Sequence, residues 1–366
     1  MKIIKTGTTY RVYDESLIVL DSLPAQTYNV CFAPLAGFYL EKHADIKTRE
    51  NKIYGTHEEK SEKVLKRFKN TNKNLGIILS GDKGIGKSLF ARLLSEKAVA
   101  LGYPVLIVSG YNAGIADFLE SIKQEVVVLF DEFDKTFSKI DGVDPQETML
   151  SLFDGISSGK KMFIITCNNY RCLNDYLVNR PGRFHYHLRF GYPSPYEVET
   201  YLKDKLEEKY WGEIKKVVSF STKINLNFDC LSAIASELND GEKFEAAILD
   251  LNIIKEEDNN RYNLILYTSE GMTFCKKSAR IDMFDGQNTI VWFEDDEYND
   301  VVGIRFKPNS AVFNAETGEY RIPIDEKSIE YDEENFSKEL VEKYKKYHYT
   351  YLTIKQIPQK SIHYIV

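Results

Sequence analysis

No apolar run in these 366 residues is long enough to cross a bilayer, and the opening Met1-Lys2-Ile3-Ile4-Lys5 turns polar before a signal core forms. A membrane-spanning or exported chain is therefore not expected, and the chain reads as cytoplasmic. Its five cysteines (Cys31, Cys167, Cys172, Cys230, Cys275) are odd in number, widely spaced and without a CxxC pair. That excludes a disulfide framework and a zinc ribbon and suits reduced thiols. The six histidines are dispersed and no HExxH occurs, so a zinc-protease centre is excluded as well. Positive charge is outnumbered, with 48 Lys and Arg against 55 Asp and Glu. A formal net charge of −7 leaves no bulk attraction to nucleic acid or to an anionic membrane surface.

What the chain does have is apolar substance, 43% of residues, and a length that predicts about two or three domains. Residues 1–50 alternate short β-favouring runs (Thr8-Thr9-Tyr10-Arg11-Val12-Tyr13, Leu17-Ile18-Val19-Leu20, Gly37-Phe38-Tyr39-Leu40) with turn residues, which predicts a small N-terminal β-rich element. A charged helix with Val64, Leu65 and Phe68 on one face is expected over 58–69. Then strand and helix patterns alternate. Short β-branched runs at 75–79, 104–108, 126–130 and 162–165 read as strands buried on both faces, with helical spacing over 88–101, 113–122 and 146–156. The fold class expected over 51–191 is three-layer α/β with a mainly parallel sheet. At Pro193-Ser194-Pro195-Tyr196-Glu197 a capping box and a first-turn proline announce a helical subdomain, 192–255. From 256 to 366 the strands Tyr262-Asn263-Leu264-Ile265-Leu266-Tyr267, Thr289-Ile290-Val291-Trp292-Phe293 and Tyr349-Thr350-Tyr351-Leu352-Thr353-Ile354 predict a β-rich or α+β domain.

Gly81-Asp82-Lys83-Gly84-Ile85-Gly86-Lys87-Ser88, followed by Leu89, matches GxxxxGK[ST]. A glycine-rich turn with a chance Gly-Lys-Ser is the bland alternative; the strand before the loop and the helix after it favour a phosphate cradle. Its glycines let successive N–H groups face a phosphate, Lys87 offers a cation to the outer phosphates, and Ser88 offers a hydroxyl to Mg²⁺. The apolar run 126–130 ends in Asp131-Glu132-Phe133-Asp134, placing carboxylates at the C-terminal edge of a parallel sheet. An acidic strand end alone is usually only solvated. Behind a phosphate loop, Asp131 suits the magnesium shell and Glu132 the orientation of an attacking water.

Over residues 50–255 these motifs make the chain resemble the AAA+ superfamily, P-loop NTPases with a helical lid, and within it the AAA branch in the narrow sense. The resemblance implies ATP and Mg²⁺ as ligands and ATP hydrolysis as the activity. Phe163-Ile164-Ile165-Thr166-Cys167-Asn168-Asn169 is similar to the sensor strand, whose asparagine faces the γ-phosphate; Asn168 is the choice and Asn169 the alternative. Asn179-Arg180-Pro181-Gly182-Arg183-Phe184 resembles the segment that carries two arginine fingers, so Arg180 and Arg183 are expected to act in a neighbouring subunit's site, in a self-assembled ring of about six. Ile53-Tyr54-Gly55 resembles the adenine-pocket segment, and Tyr54 and Gly55 are its candidates. Gly110-Tyr111-Asn112-Ala113-Gly114 resembles an aromatic pore loop, with Tyr111 as the gripping residue. The second sensing arginine of other branches is absent, since Phe244 stands at its position. The N-terminal pattern from Leu23-Pro24-Ala25 to Leu40 resembles phage-encoded members.

The expected function is an oligomeric ATP-driven motor that remodels, threads or assembles a protein substrate or acts through a protein adaptor. The acidic run Glu294-Asp295-Asp296-Glu297 and Asp300 disfavour phosphate polymers. The alternative is a nucleic-acid-associated motor of clamp-loader or helicase-loader type, with Lys83, Lys160 and Lys161 as the basic lining it would need.

Overall fold

The structure, a computed structural model, describes residues 1–48, 54, 56–139, 142–154, 159–178, 180–253, 261–295, 299–314 and 317–357. It divides into two compact units, Met1–Phe190 and Gly191–Val366.

The first unit holds β1 (Lys2–Thr6), β2 (Thr9–Tyr13), β3 (Thr27–Ala33), β4 (Gly37–Lys42), α1 (His57–Asn70), β5 (Leu75–Ser80), α2 (Lys87–Ala100), β6 (Val105–Val108), α3 (Ile115–Ser121) and β7 (Val126–Phe130). Three short helical pieces follow, α4 (Phe133–Thr136), α5 (Pro145–Thr148) and α6 (Leu150–Phe153), then β8 (Lys161–Cys167) and β9 (Phe184–Arg189). β1 and β2 form a two-stranded sheet of their own, and the other seven run β4-β3-β6-β7-β8-β5-β9. All neighbours from β3 to β9 are parallel; β4 alone is antiparallel.

The continuous apolar runs have their cause in the layers. Along β7, side chains alternate between faces. Val126, Val128 and Phe130 pack with Leu119, Phe133, Phe137 and Phe153 on one face, whereas Val127 and Leu129 pack with Phe68, Phe90 and Leu94 from α1 and α2 on the other. With helices on both faces no position of the strand is left for a polar residue, so periodicity disappears from the sequence. α1 presents Val64, Leu65 and Phe68 as expected, and its Glu58 and Glu59 in the first turn with Arg67 and Lys69 in the last oppose the helix dipole favourably.

Several expectations are corrected here. The N-terminal stretch is β-rich, but part of it is built into the main sheet: β3 pairs in parallel with β6 (Thr27↔Val105, Tyr28↔Leu106) and Tyr28 is buried in the same core as Phe130. Residues 17–20 are no strand: Ile18, Val19 and Leu20 are exposed and lie outside every strand. β3 and β9 were not foreseen, since their mixed sequences Thr-Tyr-Asn-Val-Cys-Phe-Ala and Phe-His-Tyr-His-Leu-Arg have only partly buried faces and hence no apolar run. The helix expected over 146–156 is broken into α5 and α6, and 155–158 lie outside the described residues.

The second unit begins with four helices, α7 (Pro195–Lys205), α8 (Ile214–Ser221), α9 (Phe228–Asn239) and α10 (Phe244–Asp250). α7 starts as its sequence specifies: Ser194 accepts from the Glu197 N–H at 3.3 Å while the Glu197 carboxylate accepts from the Ser194 N–H at 2.8 Å. Then follow β10 (Arg261–Thr268), β11 (Thr273–Arg280), β12 (Thr289–Phe293), β13 (Val302–Phe306), β14 (Val312–Asn314), β15 (Glu319–Pro323), β16 (Ile329–Tyr331), α11 (Lys338–Lys345) and β17 (Tyr349–Gln356). They form antiparallel sheets β11-β10-β17-β15-β14 and β12-β13-β16 around one core. The helices and the sheets are joined through Tyr320 of β15, whose hydroxyl donates to the Ser219 carbonyl of α8 at 2.9 Å and also meets Thr222. Among the described residues no helix is long and apolar enough to cross a membrane.

Candidate nucleotide site

The loop 81–88 joins the end of β5 to the start of α2. Its shape needs glycine at two points. Gly86, the N-cap of α2, has φ 97°. Gly81 has φ 143° and sits so close to the Phe190 carbonyl and the Ile85 side chain that a Cβ there would collide. Lys87 opens the helix and is only 7% exposed. Its Nζ donates to the carbonyls of Gly81 (2.7 Å) and Asp82 (2.6 Å) and to Asn168 Oδ1 (2.9 Å). Burial pushes its pKa below the ordinary lysine value, against the pull of the neighbouring acids. Ile85 is buried and anchors the loop, while Asp82, Lys83 and Ser88 are exposed and Leu89 is half-buried.

Opposite the loop, β7 delivers Asp131 and Glu132. Thr166 of β8, 2% exposed, accepts from the Glu132 N–H at 2.8 Å and donates to Asp131 Oδ1 at 2.6 Å, locking the two acids to the next strand. Glu132 has φ 48°, rare for a residue with a Cβ and a form of strain that clusters at functional sites. Its Oε1 accepts from Lys135 Nζ at 2.7 Å and from Asn168 Nδ2 at 3.4 Å. The Lys135 hydrogen bond, more than anything else, holds the Glu132 carboxyl below the usual carboxylate range. Asp134 Oδ2 accepts from the N–H groups of both Asn168 and Asn169 at 3.0 Å and so clamps the loop after β8. Cys167, beside Lys87, has its thiol pushed up to about 12, chiefly by burial, and stays protonated.

These contacts separate the two asparagines. Asn168 bridges Lys87 to Glu132. Asn169 turns its Oδ1 to the Arg171 N–H at 3.1 Å and caps the short turn Tyr170–Cys172.

A family model for the ATPase family associated with various cellular activities (AAA) matches residues 77–192, which span the phosphate loop, β7, β8 and β9. Residues 77–192 are thus an AAA ATPase domain of the AAA+ superfamily. An ATPase family AAA domain-containing protein of Arabidopsis thaliana is 29% identical over 32% of this chain and 12% of its own length. The ATP-dependent zinc metalloprotease FtsH 1 of Thermoanaerobacter is 27% identical over 43% and 31%, and FtsH of Mycoplasma genitalium 26% identical over 37% and 22%. The chain thus spans less than a third of the length of each of these relatives.

Around this AAA domain the remaining candidates separate clearly. Arg180 is exposed, 5.4 Å above the Tyr176 ring. Arg183 is instead held within its own subunit: its Nε and Nη2 grip Asp154, Nη2 to Oδ2 at 2.7 Å, and Nη1 donates to the Tyr176 carbonyl at 2.7 Å. That fork keeps the Asp154 carboxyl below its usual range and the Arg183 side chain 11% exposed. Tyr111 is no free loop tip; its half-buried ring packs edge-on against core residue Phe137 at 5.8 Å. Lys161 is fully buried, donating to the Ile122 and Gly159 carbonyls, and Lys160 pairs with Glu125, so neither is available to line a channel. Phe244 is buried in the helices of the second unit against Phe220. Tyr54 is half-buried, while Ile53, Gly55 and Asn179 lie outside the described residues.

Sequence reasoning missed Thr166, Asp134, Lys135 and His57. The His57 ring lies 5.2 Å from Phe190 and 5.9 Å from Phe90, and a Cβ on Gly86 would come within 3.2 Å of its Nε2. A signal was present for Lys135 alone, one helical turn beyond Glu132.

Proposed function

We propose that this chain binds MgATP in the loop 81–88 and hydrolyses it to ADP and phosphate as one subunit of a homo-oligomeric ring, six-membered by analogy with the superfamily. The observation that carries the reading is the path Lys87–Asn168–Glu132, in which one amide couples the cation meant for the phosphates to the carboxylate meant for water.

Backbone N–H groups of 82–89 and the N-terminal end of α2 receive the phosphates, and Lys87 exchanges carbonyl acceptors for phosphate oxygens. The hydroxyl of Ser88 and the carboxylate of Asp131 are hard oxygen donors that fit Mg²⁺, which when bound neutralises phosphate charge. Glu132 stays anionic and polarises the attacking water, while Asn168 and Thr166 hold it in place. Tyr54 lines the adenine side, where His57 and Phe190 add an aromatic wall. Arg180 supplies the trans guanidinium.

The direct test is a titration with a fluorescent ATP analogue. Lys87→Ala is expected to lose about two orders of magnitude in affinity, because a charge-assisted contact to the phosphates goes. Equal affinity in the variant would withdraw the site.

A second expectation concerns pH. Because the Glu132 carboxyl is depressed mainly by Lys135, it stays charged at neutral and mildly acid pH, and turnover falls only when the pH drops through that lowered value. Lys135→Met raises the Glu132 pKa, so the acid limb of kcat should move upward in pH. An unmoved limb would show that the ion pair has no part in setting it.

For the load, a polypeptide is favoured. The net charge of −7 disfavours phosphate polymers, and two relatives are by name ATP-dependent proteases.

A further inference from the structure

A groove of about 1060 Å³ opens in the second unit between α8, the first turn of α10 and the hairpin of β14 and β15. It stands out by charge. In a chain of net charge −7 it gathers Lys215, Lys216, Lys223 and Arg321 against one carboxylate, Glu245. Lys216 is already neutralised, by Glu213 and Glu245, each at 3.0 Å. Lys215 and Arg321 are exposed and form no ion pair with any described residue. Arg321 lies flat over Tyr351, 3.6 Å from the ring centroid, and Lys223 Nζ sits 5.5 Å from the Phe284 centroid. Burial lowers the pKa of Lys223, so an anion in the groove would recover stabilisation that desolvation has removed.

The rest of the lining is apolar. Phe220 contacts both Phe244 and Phe284 edge-on, at 5.4 and 5.7 Å, and Phe284 remains 37% exposed. The two exposed cations, Lys215 and Arg321, beside a patch of phenylalanines match an occupant with about two negative charges and bulky apolar groups. The volume lies at the upper end of the usual range of about 300–1,000 Å³ for ligand pockets and accommodates several residues of extended chain.

We propose that this groove docks a short acidic polypeptide segment with bulky apolar side chains, contributed by a protein partner. A nucleic-acid strand meets the same cations but carries its charge far beyond them, over a unit that exposes Asp325 and Glu326 in a chain of net charge −7. A short segment ends before that repulsion accumulates. Every residue lining the groove lies in the second unit and the loop 81–88 lies in the first, so docking is measured without ATP.

The experiment is fluorescence anisotropy on the full chain with three probes: a short labelled peptide alternating Glu with Phe, the same peptide with Lys for Glu, and an oligothymidylate of equal charge. The Glu peptide should bind saturably and the Lys peptide should not. Lys215→Glu with Arg321→Glu should weaken the Glu peptide by about tenfold or more, and Phe284→Ala should weaken it through the apolar half alone. The charge-reversal variant should keep its melting temperature and basal ATP turnover. Absence of saturable binding, indifference to charge reversal, or tighter binding of oligothymidylate would each overturn the proposal. Failure here with intact ATP turnover leaves the nucleotide site standing, and the reverse result leaves the groove standing.

Discussion

Glu132→Gln should bind MgATP as tightly as the unaltered chain and hydrolyse it about 10²–10⁴-fold more slowly. The amide keeps the size of the carboxylate and can still meet Asn168 and Lys135, so the geometry of the loop and of β7 survives. What it loses is the negative charge that polarises water, which Lys135 otherwise keeps available by holding the carboxyl below its usual range. Binding is governed by Lys87 and the loop amides, which the change leaves alone. Affinity from nucleotide titration and rate from phosphate release therefore separate. Turnover within about threefold of the parent would remove Glu132 from its role.

The two arginines should part company just as sharply. Arg180→Ala is expected to cost about 10³-fold in turnover, in the range of a lost arginine finger, with little change in nucleotide affinity or in melting temperature. Its exposed guanidinium rests on the Tyr176 ring. Arg183→Ala acts first on stability: it removes a fork onto Asp154 and a bond to the Tyr176 carbonyl, about 1–2 kcal/mol for a pair that is partly open to solvent. A lower melting temperature should accompany whatever activity it loses. Mixing Arg180→Ala with Glu132→Gln subunits tests action in trans, because some interfaces then join an intact glutamate to an intact arginine. Partial recovery of hydrolysis is expected; none, in oligomers shown to mix, would confine both residues to one subunit.

Much of the engine was legible because its constraints are local. A glycine with φ near 100° ahead of a lysine that opens a helix leaves its mark within eight residues. The capping box at Ser194 and Glu197 is likewise a contract between neighbours. The parallel strands were visible since burial on both faces forbids polar residues. β9, at the sheet edge, escaped notice because only Phe184 of its six residues is buried.

What remained hidden are relations between residues far apart in the chain. Arg180 and Arg183 share a motif and a chemistry, yet Asp154 and the Tyr176 carbonyl tie only the second into its own chain. Asn168 and Asn169 are adjacent and identical in type, and the backbone direction at the end of β8 sends one towards Lys87 and Glu132 and the other towards a turn. Tyr111 has the composition of an exposed loop, but Phe137 draws its ring against the core.

By itself the sequence determined the phosphate loop, the acidic strand end and the α/β layering, since each is enforced by steric or burial rules acting over a few residues. Only the tertiary structure decided which asparagine faces the glutamate, which arginine is left exposed, and that residues 27–42 belong to the main sheet. Those outcomes depend on strand order and side-chain direction, which bring together groups that no sequence spacing relates.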